Sequence, residues 1–271
     1  MGTKKRHYMF DWDDNILHMP TKIILDKKVE VRPIKNNTNP TAISLRSKWV
    51  PINVSSSQFS KIRNFIGKTY RIRPDSFSNF INDKSFIVDT LYAINNNDFG
   101  PSFKKFKECL IYGNDFAIIS ARSHPADTIK KSVKLIITKI FTKLEVAQMR
   151  VNLNGESINS YLNRQEYHGV SGSEFKKRFN IDSNTINPEE GKKIAIKDYV
   201  KTIVNAARQL VGDGDVQKIS VGFSDDDLGN IKSVEKLIKD TLSKVYPHVN
   251  FVVYDTSDKD NINKKRIVIG K

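Results

Sequence analysis

The sequence predicts an α/β fold, a parallel sheet covered by helices on both faces, with a strand-containing insertion. Three observations predict it. Short apolar runs recur at 7–10 (HYMF), 116–120 (FAIIS), 218–223 (KISVGF) and 250–255 (NFVVYD). Each is apolar at consecutive positions, as a strand buried on both sides must be. Stretches with helical periodicity lie between them, the alternation expected of a layered parallel sheet. The block 21–85 has a different texture and interrupts that alternation.

The helices follow in chain order. Pro101 suits a first helical turn and Gly113 the position just past the end, with Phe103, Phe106 and Leu110 along one face between them. In 127–140, Ile129, Val133, Ile136 and Ile140 fall at spacings of four, three and four. Ile196, Val200, Ile203, Ala207 and Leu210 repeat that rhythm, and Val234, Leu237, Ile238 and Leu242 offer a further stripe. These stripes read as core faces. Within 21–85, TKIILDKKVEVRPI reads as two strands around a charged turn, NNTNPT as a loop and SSQFSKIRNFI as a short helix. The polar, Gly/Asn/Ser-rich block 152–185 reads as a second, irregular insertion. The expected organisation is a core of 1–20 and 86–271 with a lobe at 21–85.

Composition narrows the setting. No apolar run approaches the roughly 18 residues of a membrane span, and the basic N-terminus MGTKKRHYMFD lacks a signal-peptide core behind it. A single cysteine, Cys109, excludes an internal disulfide framework and leads us to expect a reducing, cytoplasmic setting. An Asn-, Lys- and Ile-rich composition fits an AT-rich genome, a virus-encoded one included. Lys plus Arg number 45 against 30 Asp plus Glu, a net +15. The plain reading is a lysine-rich solvated surface; the sharper one is a polyanion such as nucleic acid. The basic residues are spread along the chain, so the sequence locates no patch.

The strand ends carry the chemistry. FDWDDNIL follows the first run with Asp11, Asp13, Asp14 and Asn15; FAIIS ends in Ser120; KISVGF is followed by Ser224, Asp225, Asp226 and Asp227. In open parallel sheets, ligands bind beyond the carboxyl ends of the strands, where strand order reverses. Two acidic groups converging there repel one another and lose solvation, so a cation is expected to compensate them. Oxygen-only donors suit Mg²⁺.

These segments resemble the haloacid dehalogenase superfamily. FDWDDNIL is similar to its Asp-x-Asp first motif, FAIISAR to its second motif and ISVGFSDDDLGNI to its acidic fourth motif. The resemblance implies a Rossmann-like core with cap-like insertions and a Mg²⁺-dependent phosphatase. In that reading Asp11 is the nucleophile, forming an aspartyl-phosphate, and Asp13 the acid and base. Mg²⁺ is held by Asp11, the backbone of Asp13, and Asp225 or Asp226. Ser120 bonds a phosphoryl oxygen, and Asn15 and Arg122 contact substrate. A lysine among Lys192, Lys193 and Lys197 neutralises phosphate, with Lys193 the best fit. Two positions depart from the family pattern: Asn15 replaces a usual Thr, and Phe223 stands where many members carry Asp.

The expected substrate is a small phosphorylated metabolite or nucleotide. The rivals are a nucleic-acid terminal phosphatase and a catalytically silent basic protein that binds nucleic acid or an assembly. Other patterns fail: IGKT at 66–69 lacks the glycine five residues before Gly67, and a calcium loop starting at Asp11 has Ile16 where glycine is needed. The five histidines show no ligand spacing, and GDGD at 212–215 reads as a turn. For Asp14 and Asp227, a solvated strand-end or helix-start acid is as good a reading as a direct role.

Overall fold

The computed structural model describes residues 6–31, 46–182, 186–211, 219–258 and 265–269. NNTNPT and GDGD lie outside them, as does the side chain of Leu210. Among the described residues there are nine strands: β1 (Arg6–Phe10), β2 (Ile23–Val31), β3 (Arg46–Val54), β4 (Tyr70–Ile72), β5 (Asp115–Ser120), β6 (Glu166–Gly169), β7 (Ile219–Asp225), β8 (Val249–Asp255) and β9 (Lys265–Ile269). Six form one sheet in the order β6-β5-β1-β7-β8-β9. Its first five strands are parallel and β9 adds an antiparallel edge. This is the expected Rossmann-like α/β sheet.

Alternation along the strands explains the two covered faces. Tyr8 and Phe10 of β1 join Phe116 and Ile118 of β5 in one core, beneath the Asp83–Asn95, Phe103–Ile111 and Ala126–Ile140 helices. Met9, Ala117 and Ile119 face the other way, into a core with Val221, Phe223 and the Pro188–Val211 and Leu228–Leu237 helices. Residues of period two thus feed two separate apolar layers, which is why the runs lack a polar side. The helical stripes lie where their spacing put them: Ile129, Val133 and Ile136 are buried, as are Ile196, Val200 and Ile203.

The chain runs from β1 outward to β5 and β6, then crosses back to β7 on the opposite side of β1. The strand order therefore reverses between β1 and β7, and the parallel pairing of Phe10 with Ser224 brings their carboxyl ends side by side.

Two expectations are corrected. The block 152–185 is no insertion: it contains a helix at Ile158–Asn163, strand β6 and a helix at Ser173–Arg178. β6 pairs with β5 in parallel, so this stretch completes the sheet edge. Its polar texture is misleading because His168 and Glu166 pair at 2.9 Å and the Tyr167 hydroxyl donates to the Leu162 carbonyl. The segment TKIILDKKVEV also holds one continuous strand, β2, rather than two around a turn. Mid-strand charge is tolerated there because Asp26 is paired with Arg71 and Arg73, while Lys27 and Lys28 are exposed.

The backbone divides into two compact units, one made of residues up to Pro20 and from Phe80 onward, the other Thr21–Asn79. The second holds a separate antiparallel sheet in the order β3-β2-β4. It also holds the expected helix, Ser56–Ile62, whose start is fixed by a capping box between Ser55 and Gln58. No helix among the described residues is long and apolar enough to cross a membrane.

Candidate active site

The site forms where β1 and β7 end. Asp11 follows Phe10, and its backbone N–H donates to the Ser224 carbonyl at 3.0 Å, continuing the ladder by one residue. Asp225 is the last residue of β7 and is fully buried; Asp226 is partly exposed. Carboxylate oxygens of Asp11, Asp225 and Asp226 all lie within 4.8 Å of one another. This is the expected convergence of strand-end acids at one sheet edge.

Lys192 reaches into the cluster. Its ammonium donates to Asp11 Oδ1 and to Asp225 Oδ2, each at 2.7 Å, with only 3% of the side chain exposed. Lys193, the expected partner, instead pairs with Glu190 on the helix surface, and Lys197 is exposed. The reason is helical phase. Lys192 stands four residues before Ile196, on the stripe that continues through Val200 and Ile203, whereas Lys193 is turned away from it. Ala195, Ile196 and Tyr199, all buried, stand three, four and seven residues after Lys192, whereas the residue four after Lys193 is the exposed Lys197; that neighbour pattern is the signal that finds the right lysine.

Electrostatics follow from the geometry. Burial pushes the Asp11 carboxyl up to about 8, Lys192 opposes the rise, and the charges of Asp225 and Asp13 add to it. Asp226 is likewise held well above the usual carboxylate range by burial and by Asp225 and Asp11. For Lys192, burial favours the neutral amine, but the two carboxylates outweigh it and hold the ammonium charged. Three carboxylates against one ammonium leave two uncompensated negative charges when all are ionised. Asp225 is further fixed by the Asp227 N–H at 2.9 Å and by the amide of Asn230 at 3.1 Å, a residue that nothing in the sequence singles out. Asp227 itself caps the next helix, accepting from the N–H groups of Gly229 and Asn230, so the helix-start reading holds for it.

Asp13 faces a different partner. Arg122 Nε and Nη2 grip its two oxygens at 2.8 and 2.7 Å, a bidentate pair. Arg122 is buried, its guanidinium held near the rings of Phe80 and Phe86. Its backbone N–H donates to Ser120 Oγ at 3.2 Å. Ser120, Arg122 and Asp13 are therefore linked, and Arg122 orients Asp13 where a substrate contact was expected. Asp13 is absent from the carboxylates close enough to share an ion.

Asn15 also departs from expectation as a substrate contact. Fully buried, its amide donates to the carbonyls of Asp11 and Ser224 at 3.0 and 3.1 Å and to Ser224 Oγ at 3.0 Å. Its Oδ1 accepts from Ser102 Oγ at 2.7 Å and Thr256 Oγ1 at 2.8 Å. Asn15 is thus a brace tying the ends of β1 and β7 to the residue after β8. Gly100 permits the same closure, because a Cβ there would sit 2.5 Å from the Asn15 carbonyl oxygen. Asn15→Ala should destabilise the fold by about 2–4 kcal/mol, since several buried partners lose their bonds together. Denaturant unfolding checks this, and a loss below about 1 kcal/mol would deny the bracing role.

The histidines stay outside the site. His7, His18, His124 and His168 each lie beside a carboxylate, between 2.9 and 3.6 Å away, and none joins the acidic group. Cys109 is buried and free.

The chemistry available is that of crowded acids compensated by one buried lysine, at the reversal point of a parallel sheet. Compared with protein families, curated proteins and solved structures, the chain showed no match.

Proposed function

We propose that this chain is a phosphomonoester hydrolase of the haloacid dehalogenase type, working through an aspartyl-phosphate on Asp11 with Mg²⁺ as cofactor. The observation that supports it is the charge balance of the cluster: Asp11, Asp225 and Asp226 against Lys192 leave a deficit that one divalent cation makes good. Hard oxygen donors of this kind suit Mg²⁺, which commonly takes one or two carboxylates and fills its shell with water and phosphate. Asp11, Asp226 and Asp225 would hold it. When bound, it would offset repulsion between carboxylate and phosphate and polarise the phosphoryl oxygens.

The chain's own residues do the rest. An Asp11 oxygen attacks phosphorus and the bond to the substrate's ester oxygen breaks. That oxygen takes a proton from Asp13. Water then attacks the same phosphorus while Asp13 accepts its proton, the bond to Asp11 breaks, and inorganic phosphate leaves with the carboxylate restored. A carboxylate offers about four acceptor positions, so the two held by Arg122 leave Asp13 capacity for this traffic. Lys192 keeps Asp11 in place and lessens the charge an incoming phosphate meets. Ser120, buried at the end of β5, is the proposed phosphoryl contact.

The substrate class expected from this site is a phosphorylated small molecule or nucleotide. A test is turnover of an aryl phosphate, a set of sugar phosphates and nucleoside monophosphates, after chelation and after Mg²⁺ is restored. Mg²⁺-dependent release of phosphate is expected. No turnover of any of them would overturn the proposal and favour a catalytically silent binding protein.

A further inference from the structure

We propose that the Thr21–Asn79 unit is a binding surface for single-stranded nucleic acid. The excess charge of this protein is not evenly distributed. Residues 21–79 contain 12 Lys and Arg against three acids, Asp26, Glu30 and Asp75, a net +9 of the chain's +15. Basic residues are spread along the whole sequence, but acids are sparse here, so the net charge concentrates.

The unit's structure sharpens that asymmetry. Two of its three acids are already occupied: Asp26 by Arg71 and Arg73, and Asp75 by Arg73. Lys27, Lys28, Lys48, Lys61 and Lys68 are exposed and make no ion pair among the described residues. Such uncompensated ammonium groups attract a phosphate backbone through counterion release.

Aromatic groups are interleaved with them. Trp49 lies directly across from Lys28 in the β2–β3 ladder, and the Arg71 guanidinium sits 4.9 Å above its ring. Tyr70 is across from Lys27, on the opposite face of the sheet, and Phe65 is 51% exposed. Lys28, Trp49 and Arg71 share one face of the sheet, where a ring beside cations is a platform on which an unstacked base can lie, while the lysines of both faces attract the phosphates. A duplex hides its base faces and cannot use such rings, so a single strand is the occupant these residues fit. This binding inference stands without any catalytic role.

The test uses the full chain carrying Asp11→Asn, so that binding is read whether or not the wild type turns over phosphate. Probes are fluorescein-labelled single-stranded DNA and RNA 20-mers, the matching duplex, and inorganic polyphosphate as competitor. Micromolar binding to at least one single strand is expected at physiological salt. Lys27→Glu, Lys28→Glu and Lys48→Glu together should weaken it by about tenfold or more and lower the salt slope by roughly 2, at about 0.7 for each phosphate no longer neutralised. The same reversal at exposed Lys131, Lys134 and Lys139, outside the unit, removes equal charge and should change binding less than about threefold. Tryptophan fluorescence should quench on binding, and that response should vanish in Trp49→Leu, because the only other tryptophan, Trp12, is fully buried. RNA or DNA preference identifies the strand, and either supports the inference. Equal losses from the two lysine triples, duplex binding as tight as single-strand binding, or polyphosphate displacing the strand at matched charge without a Trp49 response would overturn it. Aryl phosphate turnover by the Lys27/Lys28/Lys48 variant reports separately on the catalytic proposal.

Discussion

Asp11→Asn is expected to lower phosphomonoester turnover by at least about 10³-fold, the scale on which removal of an enzymatic nucleophile acts, while the fold persists. The amide has nearly the same shape as the carboxylate and can still accept from Lys192, but it is a poor nucleophile. A second consequence separates this variant from a merely damaged protein. In the metal-free chain, Asp11 is raised from its ordinary 3.8 to about 8. Between those values the unfolded chain has released a proton that the folded chain keeps. Stability is therefore fully present below about pH 4 and is lost as pH rises through about 8. Asp226, displaced in the same direction, adds to the slope. Removing the Asp11 carboxyl should flatten that decline. Denaturant unfolding of chelator-treated wild type and Asp11→Asn at pH 5 and pH 8 provides the comparison. Identical pH slopes would contradict the electrostatic picture, and equal non-zero turnover would rule out Asp11 as nucleophile.

How much of this was legible depends on whether the cause was local. The apolar runs at β1, β5, β7 and β8 could be read because each strand is buried on both faces, and burial on both faces leaves no polar alternation to confuse with a loop. The adjacency of β1 and β7 could be read because crowded acids at two strand ends need a shared compensating charge. Strand β6 could not, since its His168 and Glu166 satisfy each other and so resemble a polar loop. The role of Asn15 was hidden for a different reason. Its partners Ser102 and Thr256 lie 87 and 241 residues away in the chain, beyond the reach of any local pattern. Arg122 stands at the expected strand end, but its bidentate grip on Asp13 could not be read, because nothing in the sequence links two residues 109 positions apart. Lys192 is the instructive miss. The apolar residues Ala195, Ile196 and Tyr199 flank Lys192 at three, four and seven positions, whereas Lys193 has Lys197 four positions on, so the wider apolar face pointed to Lys192, not Lys193.

Lys192→Met should destabilise the metal-free protein by about 3–5 kcal/mol, the penalty for removing one partner of a buried ion pair. Methionine keeps most of the unbranched stem, so packing changes little and the loss reports on charge. Without the ammonium, Asp11 and Asp225 are left buried beside Asp226 with no neighbouring cation, and each raises the energy of the other's ionised form. For a chain of this size the loss corresponds to a fall of roughly 10 °C in Tm. Lys193→Met is the matched control. Its ammonium pairs with the half-exposed Glu190 on the helix surface, where a single ion pair contributes about 0–1 kcal/mol. Millimolar Mg²⁺ should then restore more stability to Lys192→Met than to wild type, because the cation replaces a missing charge in one and joins an existing one in the other. Thermal unfolding of the three proteins, with chelator and with Mg²⁺, makes the comparison directly. Equal losses in the two lysine variants would refute the placement of Lys192 in the acidic cluster. An equal gain from Mg²⁺ in all three would mean that the cation binds elsewhere, and that Asp11, Asp225 and Asp226 are held together by lysine alone.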